Sequence, residues 1–543
     1  MVGLRSSAVS RISLAIVAMG TIAMAIVPMG CKKGSEQGPA NPNAVTVSSA
    51  ADAKRLLPML ASESVSSMIS GLVFNGLVKY DPNLMLVGDL AESWVINHDG
   101  LEITFNLRKG VKWQDGAEFT SADVLFTYQK VTDPAVPTAY AENYGPVKSV
   151  EAVDDYTVRV TYKEPFAPAL ESWGMGIIPK HLLEGKDISL DEFNRTSVIG
   201  TGPYRITQWD SGQKIIMEAY PDYFEGRPGV EKFIMRVIPD TATTFLELRT
   251  NGVDYMQLNP AQYQLQTSAE FFTRQFNKFR YPSFAYTYLG YNLRNDLFKD
   301  VRVRRAITHA IDKTGIINGV LMGLGSPCTG PFPAESWAYS PDVKDHAFDP
   351  ARSVDLFKEA GWAKGKDGVL EKKGTRFAFT VITNQGNDQR LKTAQILAEN
   401  LRKVGVEMEI KVLEWQAMLE YIKERKYEAV LMGWQLSRDP DLYDIWHSSK
   451  TGPDEFNFVS YSNMEVDMLL LEGRRTFDME KRKAIYRRIH EILVDEQPYS
   501  FLYVPDSLPI LHKRFKGVRQ SPIGIWYDLV NWKVPQDRAQ WYE

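Results

Sequence analysis

Between Leu90 and Lys130 the hydrophobic pattern switches period once, and the switch reads as a strand followed by a helix. Leu101, Ile103, Phe105 and Leu107 alternate with Glu102, Thr104, Asn106 and Arg108, the two-residue period of a half-buried strand. Asp99-Gly100 precedes it and Gln114-Asp115-Gly116 follows it, both turn formers. Thr120 stands three residues before Asp123, a capping-box start for a helix carrying Val124, Leu125, Phe126 and Tyr128. The same two periods recur along the chain. Strands are predicted at 45–49, within 150–162 (where Val158, Val160 and Tyr162 alternate with Arg159 and Thr161), at 215–218 and at 429–432, with a turn at 200–204 leading into the third. Helices are predicted through Met68, Ile69, Leu72 and Val73, and over 302–321, 389–404 and 481–494. In the last, Ile485, Ile489, Ile492 and Leu493 face inward, while Arg482, Arg487 and Arg488 face outward. The alternation predicts an α/β chain.

The first thirty residues carry Arg5 and Arg11, no acidic residue, and an apolar run from Leu14 to Val27. That run falls short of the roughly 20 residues that span a bilayer, so 1–30 reads as a secretion signal. It stops at Val27-Pro28-Met29-Gly30-Cys31. A small residue directly before a cysteine resembles the lipobox of bacterial lipoproteins, which implies lipidation of Cys31 and attachment to a membrane. Pro28 departs from the leucine usual in that pattern, and ordinary cleavage a few residues away is the alternative. Residues 31–43 are rich in Gly, Pro, Ser and Asn and read as a flexible tether. Only Cys31 and Cys328 exist, so a lipidated Cys31 leaves no internal disulfide and makes Cys328 a buried thiol.

Removing 1–30 takes Arg5 and Arg11 with it and moves the formal charge from −4 to −6. A mildly acidic chain with no concentrated basic face is not expected to bind nucleic acid. The remainder is long enough for two or three lobes. Its 12 Trp and 25 Tyr supply aromatic surface for a ligand cavity.

The Leu90–Lys130 segment closely resembles the hallmark block of the family 5 extracellular solute-binding proteins, the peptide, dipeptide and nickel receptors of ABC importers. The resemblance continues in order through GTGPYRITQWD (200–210), AYPDYFEGRPGVEKFIMRVIPD (219–240), LGYNLRNDLFKDVRVRRAITHAIDK (289–313), YEAVLMGW (427–434), FNFVSYSNMEVDMLL (456–470) and EQPYSFLYVPD (496–506). It implies an α/β periplasmic-binding-protein fold of type II, cluster C, with two lobes built from three domains around a hinge crevice. Domain I would comprise 44–75, 186–281 and 506–543, domain II 76–185 and domain III 282–505. The crossings would fall near Asn75, Pro179, Pro282 and Asp506. A monomer is implied, closing on its solute and presenting it to a membrane permease.

The same resemblance makes Trp415 and Trp434 an aromatic pair lining side-chain pockets, and Tyr503 a pocket tyrosine. Tyr140 and Trp173 would close from domain II. Each of these side chains also fits a packing role. Trp434 follows Gly433 at a strand end, where α/β ligand crevices open. In peptide-binding relatives an aspartate three residues after this tryptophan accepts the peptide α-amine. Here Ser437 holds that position, followed by Arg438 and Asp439-Pro440-Asp441. A hydroxyl cannot supply a charge-assisted bond. Asp439 is then a substitute acceptor, Arg438 a partner for an acidic group, or the two a solvated loop pair. The arginine that holds a peptide carboxylate in some relatives corresponds to Leu431.

Catalytic motifs are missing. There is no Gly-x-Ser-x-Gly, His-Glu-x-x-His, Cys-x-x-Cys or phosphate loop, and the seven histidines lack ligand spacing. His447, beside the Asp-Pro-Asp loop, is the one candidate for chelation in a nickel-type reading. No catalytic residue, resident metal or cofactor is expected. The expected function is capture of a peptide or similar polar solute. A non-peptide solute (nickel–chelator or sugar) and an exported hydrolase are the alternatives.

Overall fold

A computed structural model describes residues 42–542 apart from positions 191 and 454; the predicted signal, Cys31 and most of the tether lie outside the described residues. The first lobe begins with Ala44–Ser49, which pairs in parallel with Lys232–Val237. Lys214–Ala219 and Tyr204–Asp210 complete that four-stranded sheet. The segment 204–210, read from sequence as the exit of a turn, is thus a strand in its own right, paired antiparallel with the next. A three-stranded sheet beside it places the late strand Pro509–His512 between Tyr255–Gln257 and Phe276–Lys278. Arg514 and Asp254 form a buried ion pair here, and Asp254 also accepts the Thr46 amide at 2.8 Å. Three distant stretches of chain are joined at one carboxylate.

Inserted between 49 and 204 is an antiparallel sheet of Ala91–Ile96, Glu102–Leu107, Thr157–Tyr162 and Val147–Asp154. The alternation read at 101–108 is real: Ile103, Phe105 and Leu107 are buried. The alternating strand read within 150–162, at 158–162, is Thr157–Tyr162, and a second strand, Val147–Asp154, folds back onto it. The helix Ser121–Val131 starts with the predicted capping box, in which the Thr120 amide donates to the Asp123 carboxylate at 3.0 Å.

The second lobe is built on one mixed sheet. Tyr499–Ser507 and Ala285–Tyr291 lie near its centre, followed by Ala429–Gln435, Ala378–Asn384 and Glu407–Leu413. The last two are parallel and joined by the helix Asp388–Lys403, a strand–helix–strand crossover unit. The helix predicted at 302–321 is two, Val301–His309 and Lys313–Leu321, because Asp312 caps the second by accepting the Gly315 amide at 2.8 Å.

Two strands connect the lobes side by side. Residues 276–282 run antiparallel to 506–512, from Phe276 opposite His512 to Pro282 opposite Asp506. Arg280 locks the pair with a 2.5 Å bond to Asp506. Such a paired ribbon can bend about one line, which is what a hinge requires. Among the described residues no helix is long and apolar enough to cross a membrane.

Candidate functional site

A cavity of about 720 Å³ lies between the lobes. Its first-lobe walls include Phe74, Tyr140, Tyr144, Phe166 and Glu171; Ser437, Asp441, Tyr443, Asp444 and Arg474 close it from the second. A smaller cavity of about 200 Å³ adjoins it and shares Ser437, Asp441 and Asp444. Phe284, Phe332, Trp434, Leu436, Ile445 and Phe456 give this side chamber apolar walls.

Trp434 owes its position to the strand Ala429–Gln435. Gly433 precedes it where a Cβ would come within 2.9 Å of the Tyr286 carbonyl oxygen, so the neighbouring strand can approach only a glycine. The indole stacks on Phe458 at 5.5 Å and 12°, and its Nε1–H points to the Tyr499 hydroxyl at 3.4 Å. One edge is left for the side chamber.

The loop after this strand is held by two arginines. Asp439 receives both terminal nitrogens of Arg482, at 3.0 and 3.1 Å. Burial alone would lower the Arg482 pKa, but the Asp439 charge overrides it and holds the guanidinium above its ordinary value. Arg482, read as outward-facing, is therefore buried, because a partner 43 residues away sits on its inner side. Asp439 lines the side chamber, yet its carboxylate is engaged with Arg482. That corrects its reading as a free acceptor for a ligand amine. Asp441 is clamped likewise by Arg474, at 2.7–3.0 Å, and the same guanidinium lies 3.9 Å over the Tyr443 ring. Ser437 faces both cavities and donates to the Asp439 carbonyl at 2.7 Å. Arg438 turns its guanidinium onto the Phe284 ring at 5.1 Å.

Across the cleft, Tyr140 lines the large cavity and donates its hydroxyl to the Ala61 carbonyl at 3.0 Å. Trp173 does not reach the cavity. It is buried against Phe105 and Tyr144, and its Nε1–H donates to Tyr162 at 2.9 Å. Tyr503 is also a core residue, its hydroxyl 3.2 Å from that of Thr393. Trp415 opens the helix Trp415–Lys423, is 40% exposed, and lines neither cavity. The geometry thus brings together Trp434, Ser437, Asp439 and Tyr140, with Arg438 at the junction, and leaves Trp415, Tyr503 and Trp173 outside.

Sequence reasoning missed Glu171, Asp441, Tyr443 and Arg474. Asp441 and Tyr443 carried a usable signal, since they extend the loop already singled out. Glu171 carried none: its environment is made by the opposite lobe. Burial, then the charge of Asp439, pushes its carboxyl up to about 7, against bonds from the Tyr80 hydroxyl and the backbone amides of Asp439 and Arg438. The lobes also touch where the Ala167 amide donates to the Arg474 carbonyl at 2.6 Å and Arg475 meets Glu164 at 2.7 Å.

His447 rests on Tyr443 at 4.3 Å with Nδ1 2.8 Å from the Ser449 hydroxyl oxygen. Among the described residues no three His, Cys, Asp or Glu side chains are grouped to hold a metal ion. Cys328 is buried, and burial pushes its thiol up to about 12, far from a reactive thiolate.

Comparison with known proteins decides the family. The model of the bacterial extracellular solute-binding proteins, family 5, matches residues 85–455. The chain belongs to this family. It is 34% identical over 489 residues to the oligopeptide-binding protein AppA of Bacillus subtilis, covering 87% of this chain and 88% of that one. It is 27% identical over 555 residues to the dipeptide-binding protein of Escherichia coli, covering 96% and 98%. Among solved structures, AppA from Bacillus subtilis in complex with a nonapeptide superposes with a TM-score of 0.74 at 31% identity, covering 91% of this chain and 99% of that one. NikZ from Campylobacter jejuni in complex with Ni(L-His) superposes with a TM-score of 0.77 at 28% identity, covering 91% and 99%. The fold is accordingly the periplasmic-binding type expected, and family 5 is a family of solute-binding proteins rather than enzymes.

Proposed function

We propose that this family 5 protein is the ligand-capturing receptor of an ABC importer, taking a peptide between its lobes and delivering it to a membrane permease. The observation that carries the reading is the double cavity: a chamber of mixed polar and aromatic lining that adjoins an aromatic side chamber, at the junction of two lobes joined by paired strands. A main chain fits the first and an apolar side chain the second. Its volume lies in the range of small-molecule sites, roughly 300–1,000 Å³. The peptide-binding relatives support the ligand class.

Closure follows from differential affinity: a ligand that touches both lobes stabilises the closed form only by what it gains over the open one. Driving the equilibrium from 1:99 to 99:1 takes about 5.5 kcal/mol. Domain I is assigned 44–75, 186–281 and 506–543, domain II 76–185 and domain III 282–505; the shared Asp254 ion pair supports grouping the three stretches of domain I. Residues 1–30 are assigned as the signal and Cys31 as the lipid attachment point, which anchors a monomeric receptor outside the cytoplasm.

One observation favours a second reading. Ser437 stands where an amine-binding aspartate would, and the adjacent Asp439 and Asp441 are both held by arginines. A non-peptide solute is therefore the alternative. Native purification followed by mass spectrometry of the released small molecules separates the two: peptides support the first reading, and exclusively non-peptide solutes replace it with the second.

A further inference from the structure

Away from the hinge, the lobes touch through short stretches that project from each side. On the second lobe it is the end of the helix Met464–Arg475 and the link after it. The next helix, Met479–Glu496, starts where Asp478 accepts the Lys481 amide at 2.9 Å, so Phe477 is held between two helix ends. On the first lobe it is the turn before Glu102–Leu107, which contains Gly100, and the segment 164–167 that follows Thr157–Tyr162. A Cβ on Gly100 would lie 2.7 Å from the Phe477 ring and 3.3 Å from Pro165. Only a glycine lets the ring come so close, and its φ of +71° is the left-handed backbone that favours glycine in any case. Beside this contact the Ala167 amide donates to the Arg474 carbonyl at 2.6 Å, and Arg475 meets Glu164 at 2.7 Å.

The ring outweighs the ion pair. The Arg475 and Glu164 side chains are 54% and 55% exposed, and a pair so open to water contributes little. Phe477 is half-buried and Gly100 buried, so parting the lobes returns apolar surface to water. Arg474 joins the contact to the cavity. Its carbonyl takes the Ala167 amide, while its guanidinium clamps Asp441 and lies 5.8 Å over the Phe166 ring of the opposite lobe. Gly100, Pro165 and Phe477 themselves line neither cavity.

We infer that the protein carries a clasp of its own, Phe477 seated on Gly100 and Pro165 with the Ala167–Arg474 bond beside it, which holds the lobes shut whatever solute lies between them. The inference rests on closure of the cleft and not on the peptide reading. Because the clasp touches no solute, it multiplies the retention of every solute by the same factor. Selection stays with the residues that line the cavities.

Hydrogen exchange at the Ala167 amide reads the clasp directly, because opening the cleft breaks its bond to Arg474. The Lys163 amide, which donates to the Pro146 carbonyl at 2.9 Å within the first lobe, is the control. The natively purified protein is measured with nothing added. Ala167 is expected to be protected in wild type. Phe477→Ala is expected to speed its exchange about three- to tenfold and to leave Lys163 unchanged. Arg475→Gln is expected to change it by less than about twofold. Gly100→Ala is expected to speed it as well, and to add nothing once Phe477 is Ala, since the ring it collides with is gone. An unprotected Ala167 in wild type, an unchanged rate in Phe477→Ala, equal acceleration at Lys163, or additive acceleration in the double variant overturns the clasp. Scattering on as-purified and ligand-stripped wild type separates this from failure of closure. A radius of gyration that differs between the two, with Ala167 exchange unmoved by Phe477→Ala, leaves closure standing without the clasp; equal radii overturn both.

Discussion

Replacing Asp439 by Asn separates scaffold from ligand contact. The Asp439–Arg482 pair is almost sealed from solvent, with side-chain exposures of 10% and 6%, and Arg482 also donates to the Gly473 carbonyl at 3.1 Å. Asn removes the charge but not the volume, and leaves a buried guanidinium uncompensated. Breaking such a pair costs about 3–5 kcal/mol. For a body of the second lobe's size each kcal/mol moves the melting temperature by about 2–4 °C, so a drop of about 6–20 °C is expected by calorimetry. The double variant Asp439→Leu, Arg482→Met removes both charges and should recover much of that loss. Ligand affinity of the folded Asp439→Asn protein should stay within about tenfold of wild type, since no charge-assisted bond to the ligand is lost. A melting temperature within 2 °C of wild type (about half a kcal/mol) combined with abolished binding would refute the reasoning and return Asp439 to the ligand.

Other expectations follow from the same contacts. Trp434→Ala should weaken ligand binding more than it lowers the melting temperature, because its aromatic neighbours already bury one another; unchanged affinity with a large loss of stability would make it a packing residue. His490 is fully buried, and burial depresses its pKa to about 4. The unfolded chain therefore binds the extra proton first, and stability that is full above pH 6.5 should fall as the pH drops toward 4, by on the order of 3 kcal/mol. His490→Leu should flatten that limb in pH-dependent melting curves, though His512, lowered to about 3 by burial and the nearby Arg514 charge, keeps part of it. Cys31→Ala should release the protein from membranes into the soluble fraction, as read by fractionation; unchanged membrane association would exclude the lipid anchor.

Much of the fold was legible because its signals are local. The alternation over 101–108, the Thr120–Asp123 capping box and the helix Asp388–Lys403 each follow from residues within a few positions of one another. The misreadings came from breaks that a smooth hydrophobic pattern hides. Asp154 to Thr157 turns a hairpin that the alternation at 158–162 does not announce, and Asp312 restarts a helix without interrupting the apolar stripe. Site residues were less legible. Trp434 was findable because a glycine and a strand end mark it. Trp173 and Tyr503 carry the same residue chemistry but face hydroxyl partners inside their own lobes, which no spacing announces. Arg482 and Glu171 were out of reach for a common reason: each is defined by a group far away in the chain, Asp439 for the one and the 438–439 backbone for the other.

The central claim is that the two lobes close over a captured solute about the strands 276–282 and 506–512. Small-angle X-ray scattering tests it most directly, on protein stripped of ligand by partial unfolding and refolding, then titrated with the molecule recovered from the native preparation. The account predicts a smaller radius of gyration that saturates with the same midpoint as calorimetric binding. Superimposable curves at saturating ligand, with binding confirmed by heat, would contradict it.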